Sequence, residues 1–78
     1  MEGSMKKDYE LNPSAPGLIE YLNEERTPRE ILIDYLENKL KIKDYEILDE
    51  NIYGQAKHII QFHVKYNNFI DEIDIIEL

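Results

Sequence analysis

The stretch HIIQFHVKYNNFIDEIDIIEL, residues 58–78, constrains this chain more than any other. Apolar and polar residues alternate on both sides of Asn67–Asn68, and Asn tolerates the left-handed backbone that a two-residue hairpin turn demands. With Asn67 and Asn68 as the turn, opposed residues have numbers summing to 135. Tyr66 then faces Phe69, Phe62 faces Ile73 and Ile60 faces Ile75, with Val64 on the same side. The other side pairs His63 with Glu72, Lys65 with Ile70 and Gln61 with Asp74. One apolar face and one mixed face is the pattern of a half-buried hairpin. Asp71, opposite Val64 on the apolar face, is the misfit. Phe69, Ile73 and Ile76 are also helically spaced, but four isoleucines in residues 69–78 favour a strand.

Upstream, TPRE sets Thr27 as an N-cap, Pro28 at the first helical position and Glu30 at the third, which is a capping box. Ile31, Leu32, Tyr35, Leu36 and Leu40 follow as an apolar stripe at helical spacing, and Lys39, Lys41 and Lys43 complement the dipole at its end. These features predict a helix over 28–41. The period then changes to two in DYEILDENIY, which predicts a strand over 44–51 running into a loop through Gly54 and Gln55. An earlier phrase, LIEYLNEE at 18–25, echoes LIDYLENK at 32–39. Ser14 can cap it, Pro16 and Gly17 suit its opening, and Leu18, Tyr21 and Leu22 share a stripe. A second helix over 15–25 is the expectation, separated from the first by Pro28. Residues 1–13 read as a flexible lead-in and 14–78 as a single α+β domain.

A chain of 78 residues buries only about 60–65% of its unfolded surface. The absence of cysteine excludes disulfides and thiolate metal sites. No apolar run reaches the length of a membrane span and no signal-peptide pattern opens the chain, so an intracellular, cytoplasmic protein is expected. The formal charge is −8, from 17 acidic and 9 basic residues. That balance argues against a large phosphate-binding footprint and favours basic partners.

From Thr27 onward the chain resembles a double-stranded-RNA-binding domain. That family opens with Pro, carries apolar residues three and four positions on and Tyr at the seventh. Pro28, Ile31, Leu32 and Tyr35 match in TPREILIDYLE. Tyr45 and Glu46 match the Tyr-Glu that often begins its first strand. Ile60, Phe62 and Val64 before Asn67–Asn68 match its second strand and turn. The resemblance covers residues 27–75 and implies two helices packed on one face of a three-stranded antiparallel sheet, in the order α-α-β-β-β. In place of the family's final helix, the phrase at 18–25 is expected to cover the sheet face carrying Phe62 and Ile73.

The family's RNA-contact positions are mostly altered. Its polar residue two places before the Tyr is Ile33 here, although the acidic residue before the Tyr is kept as Asp34. Its Gly-Pro-x-His loop corresponds to YGQA, residues 53–56, with His58 two positions late. Its Lys-Lys-x-x-Lys run has no counterpart in the sequence. Degenerate members of the family bind proteins, so the resemblance implies a non-catalytic protein-interaction module, with weak duplex-RNA binding as the alternative. A third reading is a small acidic inhibitor that mimics nucleic acid.

No catalytic, metal or cofactor constellation emerges. His58 and His63 are five apart and point to opposite faces of a strand. Adjacent acids such as Asp71–Glu72 diverge, and no calcium, zinc or phosphate-loop spacing is present. No cofactor or small-molecule substrate is implied, and no enzyme. Tyr35, Tyr45 and Tyr66 have core or sheet-face positions, leaving too few tyrosines for a base-stacking platform. The candidate protein interface is Ile33, Ile70, Glu72, Asp74, Ile76 and Leu78, the last five on or next to a third strand expected at the sheet edge, where a second copy or another protein would pair. Asp34, Lys39, Lys43, Lys57 and His58 are the candidates for the RNA alternative.

Overall fold

The computed structural model describes residues 6–13, 19–54 and 58–78. The hairpin forms in the expected register. Strands β4 (His58–Tyr66) and β5 (Phe69–Glu77) pair antiparallel from His58↔Glu77 to Tyr66↔Phe69. Asn67 and Asn68 both take positive φ, 50° and 64°, as a turn matched to the twist of its strands requires. Asp71, the misfit, is buried at 4% exposure. It is accommodated by the Tyr66 hydroxyl, which donates to its Oδ2 at 2.7 Å. Burial, followed by that hydrogen bond, pushes the Tyr66 phenol well above its usual range.

The capping box is also present. The Glu30 amide donates to Thr27 Oγ1 at 3.3 Å, and the Thr27 amide donates to Glu30 Oε1 at 2.9 Å. Helix α1 spans Pro28–Asp34 and widens into a π-helical turn, Tyr35–Lys39. The helical segment ends where Lys41 enters the left-handed region at φ 56°. Strand β3 (Glu46–Tyr53) pairs with β4, with a register shift between Ile47 and Asp49.

The N-terminal third differs from expectation. Residues assigned to the flexible lead-in form strand β1 (Lys7–Pro13), and β2 (Glu20–Glu24) occupies part of the span expected to be a helix. Ser14 to Leu18, the rest of that expected helix opening, lie outside the described residues. β1 pairs with β2 on one side and with β5 on the other, giving one antiparallel sheet in the order β2-β1-β5-β4-β3. The expected two-helix, three-stranded α+β arrangement is therefore overturned. Among the described residues the chain is mostly β, with five strands and one short helical segment.

The reason is tertiary. LIEYLNEE carries a helical stripe and no apolar alternation: as a strand it sets Leu22 beside Glu20 and Glu24 on one face and Tyr21 beside Asn23 on the other. A short apolar phrase of this kind takes the structure that its neighbours complete. β1 completes it with Tyr9 and Leu11, which alternate with Asp8, Glu10 and Asn12.

One face of the sheet holds the core. Tyr9 and Leu11 of β1, Ile60, Phe62 and Val64 of β4, and Ile73 and Ile75 of β5 are buried against Ile31, Leu32 and Leu36 of the helical segment. Leu22, Tyr35, Tyr45, Ile47 and Tyr66 pack around them. Leu22 thus covers the same apolar core the replacement helix was expected to cover, but from a strand.

Because Leu11 is 2% exposed at the centre of this layer, Leu11→Ala should lower the unfolding free energy by about 2–5 kcal/mol. Asp8→Ala, at an exposed position of the same strand, should change it by about 0.5 kcal/mol or less. Urea denaturation followed by circular dichroism measures both. Equal, negligible effects would mean that β1 is not part of the core.

Candidate protein-interaction surface

The register of the five strands fixes what the opposite, outer face presents. Its longest row crosses every strand: Tyr21 of β2, Glu10 of β1, Ile76 of β5, Ile59 of β4 and Tyr53 of β3. With strands about 4.8 Å apart, that row is about 19 Å long. Tyr21 and Tyr53 are exposed, while Ile59 and Ile76 are half-buried by their neighbours in the row. The next row is polar, running Asn12, Asp74, Gln61, Asn51. Beyond it lie Glu72, His63 and Asp49, then Ile70, Lys65 and Glu46. The described helical segment packs on the inner face, and no described element lies over the outer one.

The charges on this face are ordered. Asp8, Glu10, Glu46, Asp49, Glu72 and Asp74 all lie on it, against Lys65 and His63. His63 sits between two carboxylates: Nδ1 is 2.6 Å from Asp49 Oδ1 and Nε2 is 3.6 Å from Glu72 Oε1. The hydrogen bond to Asp49 raises the His63 pKa above its ordinary value, with Asp49 and Glu72 adding to the effect through their charge. Asp74 is shifted the other way for a carboxylate. Its pKa is raised, first by burial and then by the charge of Glu72, and its Oδ1 accepts no hydrogen bond among the described residues. Asn23 donates to Asp8 Oδ1 at 2.7 Å and so fixes that carboxylate at the β2 end.

Most of the described basic side chains with ion-pair partners lie on the inner side or the perimeter, where they tie the helical segment to the sheet. Arg26 forms a forked pair with Glu24 at 2.7 and 3.0 Å and lies 3.6 Å from Asp34. The Arg26 hydrogen bond holds the Glu24 carboxyl below its usual range. Arg29 pairs with Glu50 of β3 at 3.1 Å, and Lys39 pairs with Glu20 of β2. The helical segment therefore reaches toward both sheet edges, and its cations are turned away from the outer face.

The residues singled out from sequence separate accordingly. Ile70, Glu72, Asp74 and Ile76 share the outer face, with Leu78 just past β5 and exposed. Ile33 is half-buried on α1, apart from them. The expectation that β5 forms an edge is overturned: it lies between β1 and β4, with Ile73–Glu77 paired to β1 and the whole strand paired to β4. Sequence reasoning missed Glu10, Tyr21 and Tyr53. Glu10 was legible in the alternation of KDYELNP, EYLNE alternates in burial only once it is paired, and Tyr53 falls in the span expected to be a loop. Of the RNA candidates, Asp34 accepts from Asn38 at 2.6 Å and lies near Arg26, Lys39 pairs with Glu20, and His58 lies 3.4 Å from Glu77 on the inner face. Lys43 is exposed between the helical segment and β3. Lys57 lies outside the described residues. Asp34, Lys39, Lys43 and His58 do not form one surface. The two histidines do point to opposite faces, as their spacing requires.

Among the described residues, no group of three or more His, Asp or Glu side chains is placed to hold a metal ion, and no helix is long and apolar enough to cross a membrane. Comparisons with family models, with curated proteins and with solved structures find no match to this chain.

The His63 contacts carry a pH signature. A raised folded pKa means that His63 contributes stability below its unfolded value, about 6.5, and loses it as pH rises through the folded value. Histidine NMR titration should place His63 above the ordinary value, and Asp49→Asn should bring it down. Thermal stability should fall more between pH 6 and 8 in the unmodified chain than in His63→Gln. An unshifted His63 would contradict the contact.

Proposed function

We propose that this protein is a non-catalytic protein-interaction module that docks a basic protein surface on its open sheet face. The observation that carries the reading is the combination on that face of a cross-strand row, Tyr21, Ile76, Ile59 and Tyr53, interrupted by Glu10, with carboxylates from three strands, β1, β3 and β5. Aromatic and aliphatic side chains supply the area that a partner buries, and surrounding charge steers the encounter and selects the partner's sign. A Lys or Arg brought against Asp74 would stabilise the ionised form of a carboxyl that burial and Glu72 now disfavour. A partner whose basic surface normally holds nucleic acid would be blocked by the same contact, which makes the acidic-inhibitor reading a special case of this one. Binding of duplex RNA has less support, since the candidate cations are dispersed and Lys39 is engaged with Glu20.

A lysine- and arginine-rich peptide serves as the probe. Titrated into protein with labelled isoleucine methyl groups, it should shift Ile59, Ile70 and Ile76 and leave Ile31 and Ile73 unchanged. Raising the salt should weaken the effect. Glu10→Lys combined with Glu72→Lys should abolish it. Shifts confined to the inner side, or salt-sensitive retention of duplex RNA in a gel-shift assay, would overturn the reading.

A further inference from the structure

The two edges of the sheet are not equivalent. β2 is five residues long, and two of its inner-face carboxylates, Glu20 and Glu24, are engaged by Lys39 and Arg26. β3 is eight residues long. Its first half is broken by the register shift at Leu48, a common protection of a free edge. Its second half, Asp49 to Tyr53, runs in unbroken register with β4 and carries neither Lys nor Pro. Ile52 and Tyr53 on it are 67% and 50% exposed. Ile52 also borders an open groove of about 360 Å³ together with Pro28, Arg29, Glu50 and Ile60.

We propose that two copies of this chain pair antiparallel along β3, with Asn51 on the twofold axis, so that their sheets join into one. The register follows from charge and geometry. A twofold axis perpendicular to the sheet keeps inner residues opposite inner ones, so a residue must lie on the axis. Asp49 or Glu50 in that position would set identical carboxylates directly opposite each other, which is destabilising. Ile52 on the axis would engage only residues 51–53 of the strand, because Gly54 at φ 98° turns the chain. Asn51 on the axis engages the whole unbroken segment, 49–53. It sets Glu50 opposite the second copy's Ile52 and Asp49 opposite its Tyr53.

No like charges are opposed in this register, and both carboxylates arrive already paired within their own copy. Asp49 is held by His63 at 2.6 Å and Glu50 by Arg29 at 3.1 Å. Each Ile52 packs at the mouth of the other copy's groove, beside Glu50 and Arg29. The contact covers Ile52 and Tyr53, the exposed apolar residues of the unbroken segment, and satisfies its outward backbone groups. The outer faces of the two copies then form one continuous surface. The pairing does not depend on what that surface binds.

The chain contains no cysteine, so Asn51→Cys introduces a single thiol. Opposed residues of an antiparallel pair have Cα atoms about 4.5–5.5 Å apart, within disulfide range. Mild oxidation of this variant should give a covalent dimer on a non-reducing gel, while Tyr21→Cys on the other edge should stay monomeric under the same conditions. In sedimentation at tens of micromolar, the unmodified chain should run at twice the chain mass, more completely at high salt, where repulsion between two acidic copies is screened. Ile52→Glu, which sets a second carboxylate opposite the other copy's Glu50, should run as a monomer and keep the circular dichroism spectrum of the unmodified chain, because the side chain is exposed in the single copy. A monomer at every concentration, with Asn51→Cys cross-linking no faster than Tyr21→Cys, would overturn the proposal. So would a dimer that Ile52→Glu leaves intact.

Discussion

The Asn67–Asn68 turn determines which side chains this protein buries and which it presents. Two consecutive left-handed residues allow the β4–β5 pair one register, and a slip by one residue would exchange its two faces. Phe62, Val64, Ile73 and Ile75 are inside because of that register. His63, Glu72, Asp74 and Ile76 are outside for the same reason. Asp71 is the cost of the arrangement: a carboxylate on the buried face, made tolerable by the Tyr66 hydroxyl. β1 then adds to the free side of β5 and inherits the same division, with Tyr9 and Leu11 in and Asp8 and Glu10 out.

Charge follows the same division. The helical segment covers one face only, and its cations Arg29 and Lys39, with Arg26 just before it, are held by Glu50, Glu20 and Glu24 at the sheet edges. Exposed pairs of this kind contribute little to stability, typically about 0–1 kcal/mol each. Their larger consequence is where they place charge. Positive side chains are concentrated on the covered side, and the open side carries most of the sheet's unmatched acid. A chain with a formal charge of −8 thereby presents a polarised molecule, with one face suited to a basic surface.

The C-terminal two thirds of this architecture could be read from sequence. A capping box, a left-handed turn pair and a long strict alternation are local signals, and each is satisfied by residues close in the chain. The N-terminal third could not. LIEYLNEE read alone favours a helical stripe over a strand, and the deciding partner, β1, carries so many charges that its alternation of Tyr9, Leu11 and Pro13 is easily passed over. That ambiguity also hid the position of β5. With β1 unrecognised, β5 is an edge and its isoleucines are a pairing site. With β1 in place, β5 is interior and the same residues belong to a face. Ile70, Glu72, Asp74 and Ile76 therefore belong to the outer face of an interior strand and not to a sheet edge. The resemblance to a double-stranded-RNA-binding domain drew on core positions of the helix and of β3 to β5, and it carries no information about the strands that precede them.

The account stands on β1 occupying the free side of β5. Cross-strand nuclear Overhauser effects test this directly, since opposed residues of an antiparallel pair bring backbone protons within reach of one another. Backbone proton contacts should link Leu11 with Ile75 and Glu10 with Ile76, alongside those linking Ile75 with Ile60. Contacts from β5 to β4 alone, together with helical carbon shifts over residues 19–25, would contradict it and return β5 to the edge.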